Sequence, residues 1–193
     1  MQPDAGRMFA FTTRGSRPFG EVSWQPGDWL VLQGNLTQGA TEAAMHLAKQ
    51  AGASILLNTA PMQNWMRAVL PMVDVLVANY VESRQLTGLE FEPAVEDLLN
   101  HGAGHVVVTR GADGASWRSR QIAIDLPAPR VKAVDTAGAG DMFVGSLAAS
   151  LAAQQPVPQA LERAIALASI SVTRKGTSTS FPSRQEIVRR QMI

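Results

Sequence analysis

The sequence predicts an α/β domain, with a mostly parallel central sheet flanked by helices on both faces. Three observations carry that expectation. Short uninterrupted apolar runs recur, too short for helices and without the polar alternation of a strand that has one wet face. Stretches with helical character separate them, and such alternation is the pattern of parallel βαβ units. Glycine, proline and capping residues fall at the junctions, where such units turn.

Taken in order, residues 8–13 and 20–23 read as loose strands with no helix after them, so 1–28 resembles the tail of something that precedes the domain. The domain proper then opens with Trp29-Leu30-Val31-Leu32-Gln33, a strand buried on both faces. Thr37 can cap a helix running to Ala51, with Glu42 in its first turns and Gly52 stopping it. A strand over 54–57, a short helix over 64–70 ending near Pro71, and a strand over 73–78 follow. Two short helices are predicted over 82–87 and 93–100, then a strand over 105–109. Ala112-Asp113-Gly114 reads as a tight turn into a hairpin-like pair, 115–118 with 121–125. After Pro127 and Pro129 comes a glycine-rich turn, then an Ala-rich helix to about Ala153. Pro158 opens another helix to about Thr173, and the last starts near Ser183.

Composition excludes several classes. At 193 residues, 46% hydrophobic and 17% charged, the chain has the make-up of one globular domain. The net charge of +1, with no clustered Lys/Arg stripe, argues against a nucleic-acid partner. Cysteine is absent, which rules out disulfides and thiolate metal sites and fits a reducing cytoplasm. No apolar run is long enough to span a bilayer, and the first 13 residues lack the pattern of a signal peptide. A cytoplasmic location without a membrane partner is therefore expected. His46, His101 and His105 lack metal-ligand spacing, and His101 and His105, beside Gly102 and Gly104, are expected in a loop.

The chemistry gathers at Asp135-Thr136-Ala137-Gly138-Ala139-Gly140-Asp141. Small residues let the backbone approach a ligand, and the first amides of the following helix have no internal partner. With the positive end of the helix dipole they form a place for phosphate oxygens. An Asp beside them repels phosphate but is well placed to take a proton from a hydroxyl attacking it. There is no Gly-Lys-Ser/Thr as in a Walker A loop, and the turn comes too late in the chain for a dinucleotide fingerprint. Alone, the segment is equally a capped helix start, with Asp141 stabilising the first turn.

The flanking segments favour the first alternative. The glycine turn resembles the signature of the ribokinase-like (phosphofructokinase-B) sugar kinases, and four other segments resemble that family in the right order. Asn58-Thr59-Ala60-Pro61 is similar to its Asn-Pro-Ala-Pro, and Asn79-Tyr80-Val81-Glu82 to its Asn-x-x-Glu. Thr109-Arg110-Gly111-Ala112-Asp113-Gly114 is similar to its Thr-x-Gly-x-x-Gly. Val172-Thr173-Arg174-Lys175-Gly176-Thr177 resembles the segment beside its monovalent-cation loop. The likeness covers about residues 29–190 and implies the ribokinase-like three-layer fold.

The resemblance further implies ATP-dependent phosphorylation of a sugar hydroxymethyl group, with Asp141 as base and the amides of Gly138, Ala139 and Gly140 as anion hole. Asn79 and Glu82 would organise Mg2+, and the segment Thr109, Arg110, Gly111, Ala112, Asp113 and Gly114 would hold the nucleotide. A K+-like ion would take the side chain of Asp135, the carbonyls of Ala137, Ser171, Arg174 and Gly176, and the Ser180 hydroxyl. Ile165, where some relatives carry a polar residue beside the adenine, can only pack. Asn35, in Gln33-Gly34-Asn35-Leu36, would face the sugar, but it falls where ribokinase carries an acidic residue, so ribose itself is open to question. By the same likeness, 1–28 is the remnant of an N-terminal, lid-adjacent region and 29–193 is the nucleotide-binding domain. With the N-terminal part and lid missing, weak or no activity of this chain alone is expected, and a homodimer is a reasonable outcome. A non-catalytic nucleotide-binding remnant and a kinase of nucleosides or vitamin alcohols remain the alternatives.

Overall fold

The computed structural model describes residues 8–10 and 23–189. Its sheet has seven strands in chain order: β1 (Met8–Ala10), β2 (Trp29–Leu32), β3 (Ser54–Asn58), β4 (Val75–Asn79), β5 (His105–Thr109), β6 (Ala115–Arg118) and β7 (Ala123–Leu126). The first five pair in parallel, and β6 and β7 finish the sheet as an antiparallel hairpin. A sheet that grows in one direction through right-handed crossovers keeps its connecting helices on one face. Accordingly α1 (Gln38–Gln50), α2 (Met66–Val69), α3 (Tyr80–Thr87) and α4 (Phe91–Asn100) form one layer. The chain returns after the hairpin through α5 (Ala139–Ala152) and α6 (Val157–Ser171) to cover the other face, and ends in α7 (Arg184–Arg189).

Strand side chains alternate between the two cores. Leu30, Leu32, Ile55, Leu57, Leu76 and Val106 enter the first, whereas Val31, Leu56, Val75, Val77 and Val107 enter the second. Both faces are apolar, which explains the continuous hydrophobic runs. A one-residue slip would still exchange the two sets of side chains, so packing holds the register. Fully burying each large side chain is worth roughly 1.5–3 kcal/mol.

Local signals place most ends. The Thr37 hydroxyl accepts the Ala40 amide at 3.4 Å, and Gly52 (φ +74°) ends the turn after α1. The short helix predicted over 64–70 is shorter, since Pro71 passes into a 3-10 turn, Leu70–Met72, and the strand after it starts only at Val75. Both α3 and α4 begin two residues earlier than expected: Asn79 caps the first, and Pro93 sits within the first turn of the second, where its missing N–H costs nothing. The second hairpin strand is shifted to Ala123–Leu126. Residues 8–10 are a parallel edge strand of the same sheet, and 11–13 and 20–22 lie outside the described residues.

The strand expected over 105–109 is found, which corrects the alternative reading of His105 as a loop residue. His105 opens β5, and its Nδ1 accepts the Trp117 indole N–H at 3.1 Å. Burial holds this imidazole below its ordinary pKa. Among the described residues, no group of three or more His, Asp or Glu gathers as a metal site, and no helix is long and apolar enough to cross a membrane.

Candidate active site

Parallel pairing brings the chemistry to one edge. Asn79 and Thr109 are register partners at the C-terminal ends of β4 and β5, and Asn58 ends β3 beside them. That edge is where open α/β sheets bind ligands. α3 starts there with a reciprocal cap: Asn79 Oδ1 accepts the Glu82 amide at 2.8 Å, and Glu82 Oε2 accepts the Asn79 amide at 3.0 Å. The buried Thr59 hydroxyl donates to the same Oε2 at 2.6 Å. Glu82 is thereby aimed, and its Oε1 has no partner among the described residues. It lines a cavity of about 160 Å3 together with Asn79, Thr109, Gly138, Gly140 and Asp141.

The far wall is the head of α5. Gly138 caps that helix at φ +78°, and a Cβ there would lie 3.1 Å from Thr177 Cα and 3.2 Å from the Phe181 ring. The Ala139 amide donates to the Thr136 carbonyl at 3.3 Å. The amides of Gly138, Gly140 and Asp141 have no acceptor among the described residues, as the opening turn of a helix dictates. Asp141, the third residue of α5, is exposed to the cavity. Gln33, just beyond β2, donates its Nε2 to Asp141 Oδ1 at 3.4 Å, a long bond that leaves Oδ2 without a partner among the described residues. Two residues on, Asn35 keeps a buried Oδ1 with no hydrogen-bond partner among the described residues.

Asp135 joins this turn to the segment after α6. Its Oδ1 accepts the Ala137 amide at 3.0 Å and its Oδ2 the Gly176 amide at 2.9 Å. These two bonds, Ala137 first, hold its carboxyl below the usual carboxylate range. The Ser171 carbonyl accepts the Arg174 amide at 3.1 Å, and the buried Ser180 hydroxyl donates to the Thr177 carbonyl at 2.6 Å. The carbonyls of Ala137, Arg174 and Gly176 take no backbone hydrogen bond among the described residues. Arg174 is tied to α7 by an ion pair with Glu186.

On the other flank, residues 109–114 form a self-closed turn. The Arg110 amide donates to the Gly114 carbonyl at 2.8 Å, and the Gly114 amide to the Gly111 carbonyl at 3.1 Å. The Arg110 guanidinium faces the hairpin, 3.4 Å from Asp125 and 5.3 Å above the Phe91 ring. The Ser116 hydroxyl, followed by Arg118, keeps Asp125 ionised below its usual range. Between this turn and α5 lies a cavity of about 580 Å3, walled by Gly111, Ala112, Val131, Ile165 and Ala168 among others. Arg110 and Asp113 also border an opening of about 410 Å3 beside Tyr80.

Comparison with known proteins decides the family. The model of the pfkB family carbohydrate kinases matches residues 22–184. The chain belongs to this family. A deoxyribokinase of Salmonella typhi is 34% identical over 164 residues, 81% of this chain and 54% of that protein. A ribokinase of Haemophilus influenzae is 32% identical over 172 residues, 86% and 56% of the two. The chain thus spans about half the length of the curated relatives it matches. Among solved structures, Arabidopsis thaliana ribokinase, complexed with ribose and ATP, superposes with a TM-score of 0.79 at 26% identity, over 83% of this chain and 55% of that one. A ribokinase II-type protein of E. coli holds ATP and Mg2+ (TM-score 0.74, 25% identity, 84% and 58% covered). Fructokinase of Vibrio cholerae holds fructose, ADP and a potassium ion (TM-score 0.77, 25% identity, 87% and 61% covered).

In this pfkB chain the structure brings Asn79, Glu82, Thr109, Gly138, Gly140 and Asp141 onto one cavity. Thr109, Gly111, Ala112 and Gly114 face the larger cavity, whereas the Arg110 side chain turns to the hairpin. Two contributors went unassigned in the sequence. Thr59 fixes Glu82 from 23 positions away, and Gln33 reaches Asp141 across 108. Both stand in segments the sequence singled out, Thr59 in Asn58-Thr59-Ala60-Pro61 and Gln33 in Gln33-Gly34-Asn35-Leu36, but nothing local names their distant partners.

Proposed function

We propose that the chain carries the phosphoryl-transfer face of an ATP-dependent sugar kinase, acting on a sugar hydroxymethyl group. The observation that carries the reading is the meeting of Asp141, Glu82 and unpartnered helix-start amides on one cavity. Asp141 would accept the hydroxyl proton as the sugar oxygen bonds to the γ-phosphorus, and the bond to the β-phosphate oxygen would break to release ADP. The turn 138–140 would receive the negative charge that builds on the transferring group. Asn35, whose Oδ1 has no partner among the described residues, would accept a bond from a sugar hydroxyl, and Gln33 would hold Asp141 toward it. Residues 109–114 would keep the nucleotide side open.

Two ions fit the donors present. Glu82 offers one carboxylate oxygen with no partner among the described residues, while the Asn79 oxygen is spent on the cap, which suits an Mg2+ that keeps its waters. That ion would supply neutralising charge to the phosphates. Asp135, the carbonyls of Ala137, Ser171, Arg174 and Gly176, and Ser180 form an all-oxygen set suited to a K+-like ion behind the turn. Relatives solved with ATP and Mg2+, and with ADP and potassium, support both assignments. Asp141 is exposed, so water competes at the reacting centre and turnover by this chain is expected to be low.

The test is Asp141→Asn, with ATP and ADP titrated separately. Like charges about 4 Å apart in water cost about 1 kcal/mol, so ATP should bind about fivefold more tightly to the variant, while ADP changes little. Sugar-dependent ADP release should fall by about 10²–10⁴-fold. Unchanged affinity for both nucleotides would mean that this carboxylate does not face a terminal phosphate, and the reading would fall.

A further inference from the structure

The cavity of about 580 Å3 lies within the roughly 300–1,000 Å3 typical of small-molecule sites, yet few of its side chains can read a base edge. Among the described residues that line it, the polar side chains are Thr109, Arg130, Thr136 and Ser169. Thr109 also borders the small cavity with Asp141 and Glu82, and Thr136 belongs to the turn before α5, so both stand at the phosphate end. Ser169 is buried, and its hydroxyl proton is spent on the Ile165 carbonyl at 2.8 Å. Arg130 is exposed, and its planar guanidinium can lie on the face of any base. The rest of the wall is Ala, Val, Ile, Phe, Pro and Gly.

The backbone is equally unselective. Residues 128–133 run past the cavity with no backbone hydrogen bond to any described residue. Apart from Pro129, each offers both a donor and an acceptor, so the strip can meet a base edge of either polarity. Such a wall discriminates weakly. A site built to hydrogen-bond its ligand rejects analogues by about 10⁴–10⁵, whereas an apolar pocket separates close analogues by only about 10².

Resting on the nucleotide reading above, we infer that this site accepts nucleoside triphosphates as a class, purine and pyrimidine, without selecting adenine. The phosphate-facing turns and the shape of the cavity supply affinity, and nothing in the wall penalises a keto group where adenine carries an amine. The experiment is titration calorimetry of the full 193-residue chain with ATP, GTP, ITP and CTP in Mg2+, with tripolyphosphate as the base-free reference. All four binding within about a hundredfold of one another, and each more tightly than tripolyphosphate, is the expected result. A preference for ATP beyond a hundredfold overturns the inference and leaves the kinase reading intact. If no nucleotide outbinds tripolyphosphate, the cavity holds no base, and the nucleotide reading falls with the inference.

Discussion

Gly114 and Gly138 both stand at positive φ, the first beside the larger cavity and the second beside the smaller, and different parts of the molecule hold them there. A Cβ on Gly114 would meet the Leu126 carbonyl oxygen at 2.0 Å and the Ala128 nitrogen at 2.7 Å, at the end of and just beyond the hairpin that Gly114 itself introduces. A Cβ on Gly138 would meet Thr177 and Phe181, about forty residues away and on the far side of α6. The first turn is closed by its own neighbourhood, with Arg110 folded onto Asp125 and Phe91. The second is closed by tertiary contact, through Asp135 reaching the Gly176 amide. The turn assigned to hold the nucleotide is therefore part of a locally folded unit, whereas the turn assigned to catalysis depends on two distant loops meeting.

Substitution at the two glycines tests that difference, and here the largest stability effect is expected. Gly114→Ala places a methyl into fixed backbone, at φ +88° and ψ −137°, a region essentially reserved for glycine. It should cost about 3–4 kcal/mol in denaturant unfolding. Gly138→Ala asks only for a left-handed residue, which costs about 1–2 kcal/mol, and a few tenths of an ångström from its neighbours. Equal costs, or a larger one at Gly138, would break the contrast.

The same division governs what was legible in the sequence. Uninterrupted apolar runs announced strands buried on both faces, and Thr37 and the glycine turn announced helix starts, because caps and turns are local devices. The family motifs pointed to Asp141 and Glu82, but not to what aims them: the Thr59 and Gln33 bonds tie the loops after β3 and β2 to helices α3 and α5, 23 and 108 positions away. Gly102 and Gly104 suggested a loop at His105 although the strand over 105–109 was itself legible. They serve close approach, not a loose loop, since a Cβ on Gly104 would lie 2.9 Å from the Asp74 carbonyl oxygen. The β-strand simply begins at the next residue.

Mild acid should touch the locally closed side first. His105 is held below its ordinary pKa by burial, and it accepts the Trp117 indole N–H. A group whose folded pKa is depressed contributes stability above its unfolded pKa, and that contribution is lost as pH falls through the folded value. The thermal midpoint should therefore decline as pH drops below about 6.5, the ordinary imidazole value. His105→Gln, which keeps an acceptor and cannot titrate there, should flatten that decline. An equal decline in the variant would assign it to other groups.

Stronger acid is needed to reach the turn before α5, and the effect there should be smaller and confined to that turn. Asp135 is ionised and bonded to the Ala137 and Gly176 amides, which lowers its folded pKa, so the bridge persists above the ordinary carboxylate range and opens only as pH falls below it. Because one carboxylate serves both amides, the NMR signals of Ala137 and Gly176 should titrate together, with a shared midpoint below about 3.9, the ordinary Asp value. Separate midpoints, or one at the ordinary value, would mean that the two loops are not joined through this side chain. The turn that carries Asp141 would then have to be held by the packing of Thr177 and Phe181 on Gly138 alone.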